Sequence, residues 1–175
     1  LSSDFEYLRN SLAPSAIINH KNNSGNHNQK PAFFEIANVY LAKPDSVLPE
    51  EKPTIVISSQ GLQDLKETLD FLYANLNLNV TFNQNETIKN SLLIDTNQAT
   101  MNTDNQIGYY GQIKNSILNK FGIITPIYIA EVDLNNLIET SQHKIVYKPL
   151  SEYPEISEDI TVTSSLSIGS IVEKI

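Results

Sequence analysis

Apolar and polar positions alternate along the chain in two periods, one typical of helices and one typical of strands. The most regular pattern covers residues 61–76, where leucines recur at spacings of three and four. This spacing places them on one face of an amphipathic helix. The leucines are Leu62, Leu65, Leu69, Leu72 and Leu76. Ser59 is the predicted N-cap, because its hydroxyl can accept a hydrogen bond from the first turn.

Shorter patterns predict three further helices. Residues 4–20 carry an apolar stripe, with Asp4 as the predicted cap and Pro14 as a predicted interruption. A short helix over 115–121 is predicted to end at Gly122, because glycine readily adopts the left-handed conformation found after helices. The last predicted helix follows Asp133, whose carboxylate can cap it.

Runs rich in β-branched and aromatic residues predict strands in much of the remaining chain. They span residues 32–40, 54–58, 79–82, 91–94, 98–101, 107–113 and 126–132, with polar connections at 19–30, 43–52 and 102–106. In the first strand the even-numbered Phe34 and Ile36 point to one face, and the odd-numbered residues point to the other. Gly108 and Gly111 predict a close approach of two backbones within the sheet.

The order of these elements favours one fold class. Strands arrive as hairpins between isolated helices, which is typical of an antiparallel sheet and not of a doubly wound parallel one. The sequence therefore predicts an α+β fold, an antiparallel sheet flanked by helices that lie on one of its faces.

Charge argues against nucleic-acid binding by this chain alone. The formal net charge is -8, Arg9 is the only arginine, and the lysines are scattered without a run. Proteins that bind RNA through its phosphates normally cluster Lys and Arg. No apolar run approaches the roughly 20 residues of a membrane span, so no membrane partner is expected. The absence of cysteine excludes disulfides and thiolate metal sites and fits a cytoplasmic location.

The sequence offers no catalytic or metal-binding constellation. His20, His27 and His143 share no ligand spacing and are expected to be solvated surface residues. Glu158 and Asp159 are adjacent on a predicted strand and point to opposite faces, so they are expected to form a solvated edge. We therefore predict no catalytic, cofactor-binding or metal-binding residues in this chain.

Several segments, in order, resemble the beta subunit of bacterial phenylalanyl-tRNA synthetase. Residues 8–15 (LRNSLAPS) resemble the family's LRTSLLPS, and residues 34–40 (FEIANVY) resemble FEIGRVF. Residues 107–113 (IGYYGQI) resemble the start of IGxIGELHP, and residues 129–134 (IAEVDL) resemble AFELDL. Residues 147–162 (YKPLSEYPEISEDITV) resemble the start of the family's ferredoxin-like anticodon-binding domain.

The resemblance implies two domains and a role. Residues 1–145 would form a class II aminoacyl-tRNA synthetase-like core domain with a degenerate catalytic core. Residues 146–175 would be a linker and the truncated start of the ferredoxin-like domain, which makes the chain a C-terminal piece of phenylalanine–tRNA ligase. Adenylate formation on this fold uses arginines to clamp ATP phosphates bidentately, so a chain with one arginine is expected to be non-catalytic.

The implied whole enzyme contains two alpha and two beta subunits and attaches phenylalanine to tRNA(Phe) with ATP and Mg²⁺. In it, this chain would pack on the alpha subunit as a scaffold without a cofactor of its own. Arg9 is a candidate subunit-interface residue, with simple exposure as the alternative, and Lys148, Tyr153 and Asp159 are candidate tRNA-facing residues. Without the alpha subunit, the chain is expected to self-associate.

Two other hypotheses remain at this point. The chain could be a free-standing binding or regulatory paralogue on the same degenerate fold, without ligase activity. It could also be an adenylating enzyme, which predicts phenylalanine-dependent exchange of pyrophosphate into ATP. The single arginine argues against the adenylating enzyme.

Overall fold

A computed structural model describes residues 7–23, 31–84, 88, 92–141, 161 and 163, with the backbone alone for 94–97. The chain divides into two units, Leu1–His143 and Lys144–Ile175, and the elements below belong to the first. Except for residues 161 and 163, the predicted ferredoxin-like start lies outside the described residues, as do Lys148, Tyr153 and Asp159. The predicted domain boundary stays a prediction.

Six strands of the described residues form one sheet. They are β1 (Phe33–Leu41), β2 (Glu50–Ser59), β3 (Thr81–Asn83), β4 (Leu93–Asn102), β5 (Gln106–Ile113) and β6 (Tyr128–Asp133). The strand order is β1-β2-β6-β5-β4-β3, and all neighbours are antiparallel, as predicted. Two predicted strands, 91–94 and 98–101, belong to the single strand β4, and residues 50–52 extend β2 into a predicted connection.

Helices cover both faces of the sheet, so the prediction of a single helical face is wrong. The helices are α1 (Ala13–Asn23), α2 (Leu62–Asn75), α3 (Asn115–Lys120) and α4 (Leu134–Thr140). One apolar core joins α1 and α3 to Val56 and Ile129, and a second joins α2 and α4 to Ile55 and Val132. Because successive strand residues point to opposite faces, the apolar runs of β2 and β6 supply both cores.

Helix α1 begins at Ala13, not near residue 4 as predicted. Pro14 lies in its first turn, where the missing N–H breaks no helical hydrogen bond and the fixed φ suits the helix. The proline therefore starts this helix and does not interrupt it. The helix continues to Asn23, into the predicted 19–30 loop, and the predicted cap Asp4 lies outside the described residues.

Two of the predicted helix ends, at Asp133 and Gly122, are confirmed, and the predicted cap Ser59 is wrong. The leucine helix is confirmed as α2, but Gly61 is its N-cap, and the Ser59 hydroxyl accepts a hydrogen bond from the Gly61 N–H at 2.9 Å. Asp133 caps α4 as predicted. Gly122 follows α3 with a φ of +73°, the left-handed conformation expected there.

Gly108 confirms the predicted close approach of two strands. A Cβ atom at this position would lie 2.3 Å from the carbonyl oxygen of Glu131 on β6. Glycine therefore allows β5 and β6 to pack at this point. No helix in the described part of the chain is long and apolar enough to cross a membrane.

Candidate functional site

A polar cleft of about 320 Å³ opens on the α1 face of the sheet. Its principal side chains are Lys52, Thr54, Tyr109, Glu131 and Asp133. They share this face because of the strand register, which sets Thr54 opposite Asp133 and Tyr109 opposite Glu131. The polar cleft thus lies beside the apolar core that α1 and α3 form on this face.

Glu131 is the buried centre of the polar cleft, with 6% of its surface exposed. Its Oε1 accepts hydrogen bonds from the Ser11 hydroxyl at 2.8 Å and from the backbone N–H groups of Leu12 and Ala13. Its Oε2 accepts a hydrogen bond from the Tyr109 hydroxyl.

The N-terminus of α1 is where these donors converge. The first N–H groups of a helix lack partners within the helix, and the helix dipole favours negative charge there. Glu131 supplies both the acceptor and the charge from a distant strand. Its two oxygens are therefore engaged by donors of the chain itself.

Lys52 and Asp133 form an ion pair at the rim of the polar cleft, with Nζ and Oδ2 2.7 Å apart. The other oxygen of Asp133 accepts the N–H groups of Asn135 and Asn136, at 2.9 and 3.2 Å, and so caps α4. Among the described residues that line the cleft, Lys52 is the one cation. Its charge is therefore offset within the chain.

Arg9 lies in an internal network in the segment before α1. Its Nη1 donates to Oε1 of Glu35 at 2.8 Å and to the Ser15 hydroxyl at 3.2 Å. Its Nε donates to the carbonyl of Asn38 at 3.2 Å, and its own carbonyl accepts the Tyr40 N–H at 2.8 Å. The arginine thus holds its segment against the free edge of β1. Its candidate role at a subunit interface stays a prediction.

His20 is buried, so the expectation of a solvated surface histidine is wrong for this residue. Helix α1 extends through it and packs the ring in a T-shaped contact with Phe33, with Nε2 at 3.1 Å from the Ser58 hydroxyl. Burial lowers the pKa of His20 to about 4. His27 and His143 lie outside the described residues. Within the described part of the chain, no group of three or more acidic or histidine side chains could hold a metal ion.

This arrangement suits structural support better than phosphate chemistry. A phosphate site needs cations that remain available to it, and arginine gives the bidentate geometry. Here both acids of the polar cleft are engaged by groups of the chain, and so is its lysine. The sequence marks Glu131 only as part of the segment IAEVDL. The available signal was an acid inside an apolar strand, since such an acid needs buried partners.

The fold is similar to that of a solved aminoacyl-tRNA synthetase. The crystal structure of pyrrolysyl-tRNA synthetase from Desulfitobacterium hafniense matches with a TM-score of 0.58 at 16% identity. The match covers 77% of this chain and 51% of that one. This likeness supports the predicted class II synthetase-like α+β fold for the sheet and its helices.

Sequence relatives identify the family. A beta subunit of phenylalanine–tRNA ligase from Clostridium tetani is 28% identical over 176 residues, which covers 93% of this chain and 21% of that protein. Another beta subunit, from Fusobacterium nucleatum, is 26% identical over 196 residues. That match covers 100% of this chain and 24% of that protein. The chain thus spans less than a quarter of the length of either relative. The family model described as the phenylalanyl tRNA synthetase beta chain CLM domain matches residues 1–134, and the chain belongs to this family.

Proposed function

We propose that this chain acts as a non-catalytic scaffold within a phenylalanine–tRNA ligase beta subunit and packs on the catalytic alpha subunit. The observation that carries the proposal is that the charged side chains of the polar cleft are already engaged by other groups of the chain. Its acid Glu131 is engaged by Ser11, Tyr109 and the start of α1, and its lysine by Asp133.

Electrostatics support a non-catalytic role. Bound ATP would bring several negative charges toward Glu131 and Asp133. Two like charges about 4 Å apart repel by roughly 4 kcal/mol at the effective dielectric of a protein surface. Offsetting this repulsion requires cations, but Lys52 would first have to leave Asp133, and Arg9 would have to leave Glu35.

In the proposed assembly the alpha subunit supplies the chemistry that joins phenylalanine to tRNA(Phe) with ATP and Mg²⁺. The beta subunit then contributes structure and, through Lys148, Tyr153 and Asp159, proposed contacts with tRNA. The proposed location is the cytoplasm, where aminoacylation supplies the ribosome. The alternative is a regulatory paralogue that shares the fold and has no alpha partner.

Two measurements test this function. Phenylalanine-dependent exchange of pyrophosphate into ATP is measured with the purified chain, with the alpha subunit of the same source, and with both. We expect the chain alone to match a sample without enzyme, and measurable exchange by it would overturn the non-catalytic role. We also expect the alpha subunit to co-elute with the chain in size-exclusion chromatography. Separate elution at micromolar concentrations would favour the paralogue.

A further inference from the structure

A second surface, which we call the apolar groove, lies between β1 and α2. It is a cavity of about 450 Å³ whose apolar walls include Phe34 and Ile36 on the strand, Phe71 and Leu72 on the helix, and Leu76 at the helix C-cap. Phe34, Ile36 and Phe71 are 75%, 57% and 73% exposed. Adjacent large apolar side chains at such exposure are typical of a surface that binds a partner.

The strand register explains why the groove is open. Phe34 lies opposite Ile57 and Ile36 opposite Ile55, so both point to the sheet face that α2 covers. Helix α2 packs over β2 and β6, however, and β1 is the edge strand beyond them. Helices pack about 8–10 Å apart and strands lie about 4.8 Å apart. A helix centred over β2 and β6 therefore does not cover β1, which lies one strand beyond β2. Among the described residues, the position over β1 beside α2 is therefore open.

A strand fits this position less well than a helix. Asn38 and Tyr40 direct their outer carbonyl and N–H groups to Arg9, which already occupies that part of the β1 edge. An added strand would have to displace it to pair with residues 38–40 of β1. A helix needs no free backbone groups on β1, because its apolar stripe alone can fill the groove.

The charge of the apolar groove indicates which residues should flank the apolar stripe of that helix. Asp64, in the first turn of α2, is the one charged residue among the described residues that line the apolar groove. A second copy of this chain would bring another Asp64 and another formal charge of -8 to the contact. A helix with Lys or Arg beside its apolar stripe is electrostatically complementary instead.

We propose that the apolar groove is the docking site for an amphipathic helix of the alpha subunit. Its apolar stripe packs on Phe34, Ile36 and Phe71, and a Lys or Arg on its flank faces Asp64. This inference rests on the proposed function, and it adds the surface, the kind of element and the charge of that element.

The first test measures binding of the purified alpha subunit to variants of the whole chain. Phe71→Asp places a charge in the groove and should weaken binding at least ten-fold. Ile124→Asp is its matched control, because Ile124 is 95% exposed and does not line the groove, and it should bind like the wild type. Asp64→Asn should weaken binding several-fold and reduce its salt dependence, whereas Asp104→Asn, in the β4–β5 turn, should change neither.

The second test locates the contact directly. The chain has no cysteine, so a single cysteine can be introduced and labelled before the alpha subunit is added. A bimane dye at Asn75→Cys, which lines the groove, should shift to the blue on binding as it leaves water. The same dye at Asp104→Cys should not shift.

The outcomes separate the two proposals. If the wild type binds the alpha subunit and Phe71→Asp binds equally well, the groove is not the site, but the scaffold function stands. If the wild type does not bind the alpha subunit at all, both proposals fail. If the wild type sediments as a dimer that Phe71→Asp abolishes, while alpha binding is unchanged, the occupant is a second copy and this inference is overturned.

Discussion

The buried His20 should make the stability of this fold depend on pH in a way that one substitution removes. The residue is 1% exposed, and burial lowers its pKa from 6.5 to about 4. The unfolded chain therefore binds a proton near pH 6.5, and the folded chain does not until about pH 4. The contribution of His20 to the free energy of unfolding is then highest above pH 6.5, falls as the pH drops, and levels off below about pH 4.

The size of the stability change follows from the difference between the pKa values of His20 in the unfolded and folded chain, at about 1.36 kcal/mol per pKa unit. Between pH 7.5 and 5.5 the wild type should lose about 1.3 kcal/mol of stability through His20 alone. The lower limit of pH 5.5 keeps the protein above its pI of about 4.8, where solubility is poorest. His20→Gln retains a side-chain donor for the Ser58 hydroxyl but does not titrate.

The assay is urea unfolding of both proteins at the two pH values, followed by circular dichroism. The carboxylates are common to both proteins, so their contributions cancel in the comparison. We expect the wild type to lose about 1.3 kcal/mol more than His20→Gln between pH 7.5 and 5.5. Equal losses in the two proteins would refute the burial of a neutral histidine against Phe33.

Three further predictions concern stability in urea at neutral pH. Glu131→Ala should cost about 3 kcal/mol, because it leaves several buried donors without an acceptor, and a loss below about 1 kcal/mol would contradict this. Gly108→Ala should cost at least about 2 kcal/mol, because its Cβ meets a carbonyl of β6, whereas Gly122→Ala should cost only about 1 kcal/mol through its backbone conformation. Asp133→Ala should cost about 1 kcal/mol through the lost cap, and an unchanged midpoint of unfolding would count against that cap.

The features that sequence predicted best depend on neighbours in the chain. The leucine spacing of α2 defines a helix by itself, and Asp133 and Gly122 act within one turn of the helices they cap or end. Alternation along β1 placed Phe34 and Ile36 on one face correctly, because the pleat fixes this within the strand.

The features that sequence missed depend on contacts between distant segments. Nothing beside His20 in the chain shows that β1 and β2 will cover its ring. The donors to Oε1 of Glu131 likewise come from a segment about 120 residues earlier, and Tyr109 comes from a neighbouring strand. The start of α1 was misplaced for another reason, because Pro14 suits the first turn of a helix as well as it breaks an interior one.

The strand order has a consequence for how the chain reaches this fold. β6 is the last strand among the described residues of the first unit, yet it lies between β2 and β5 at the centre of the sheet. The hairpin of β1 and β2 and the hairpin of β4 and β5 therefore have no strand to join them until β6 arrives. Until then each hairpin presents an open apolar edge, which is the kind of surface that pairs with other chains. During synthesis, completion of the sheet must await the residues near 130, and truncation before them should leave two separate, aggregation-prone hairpins.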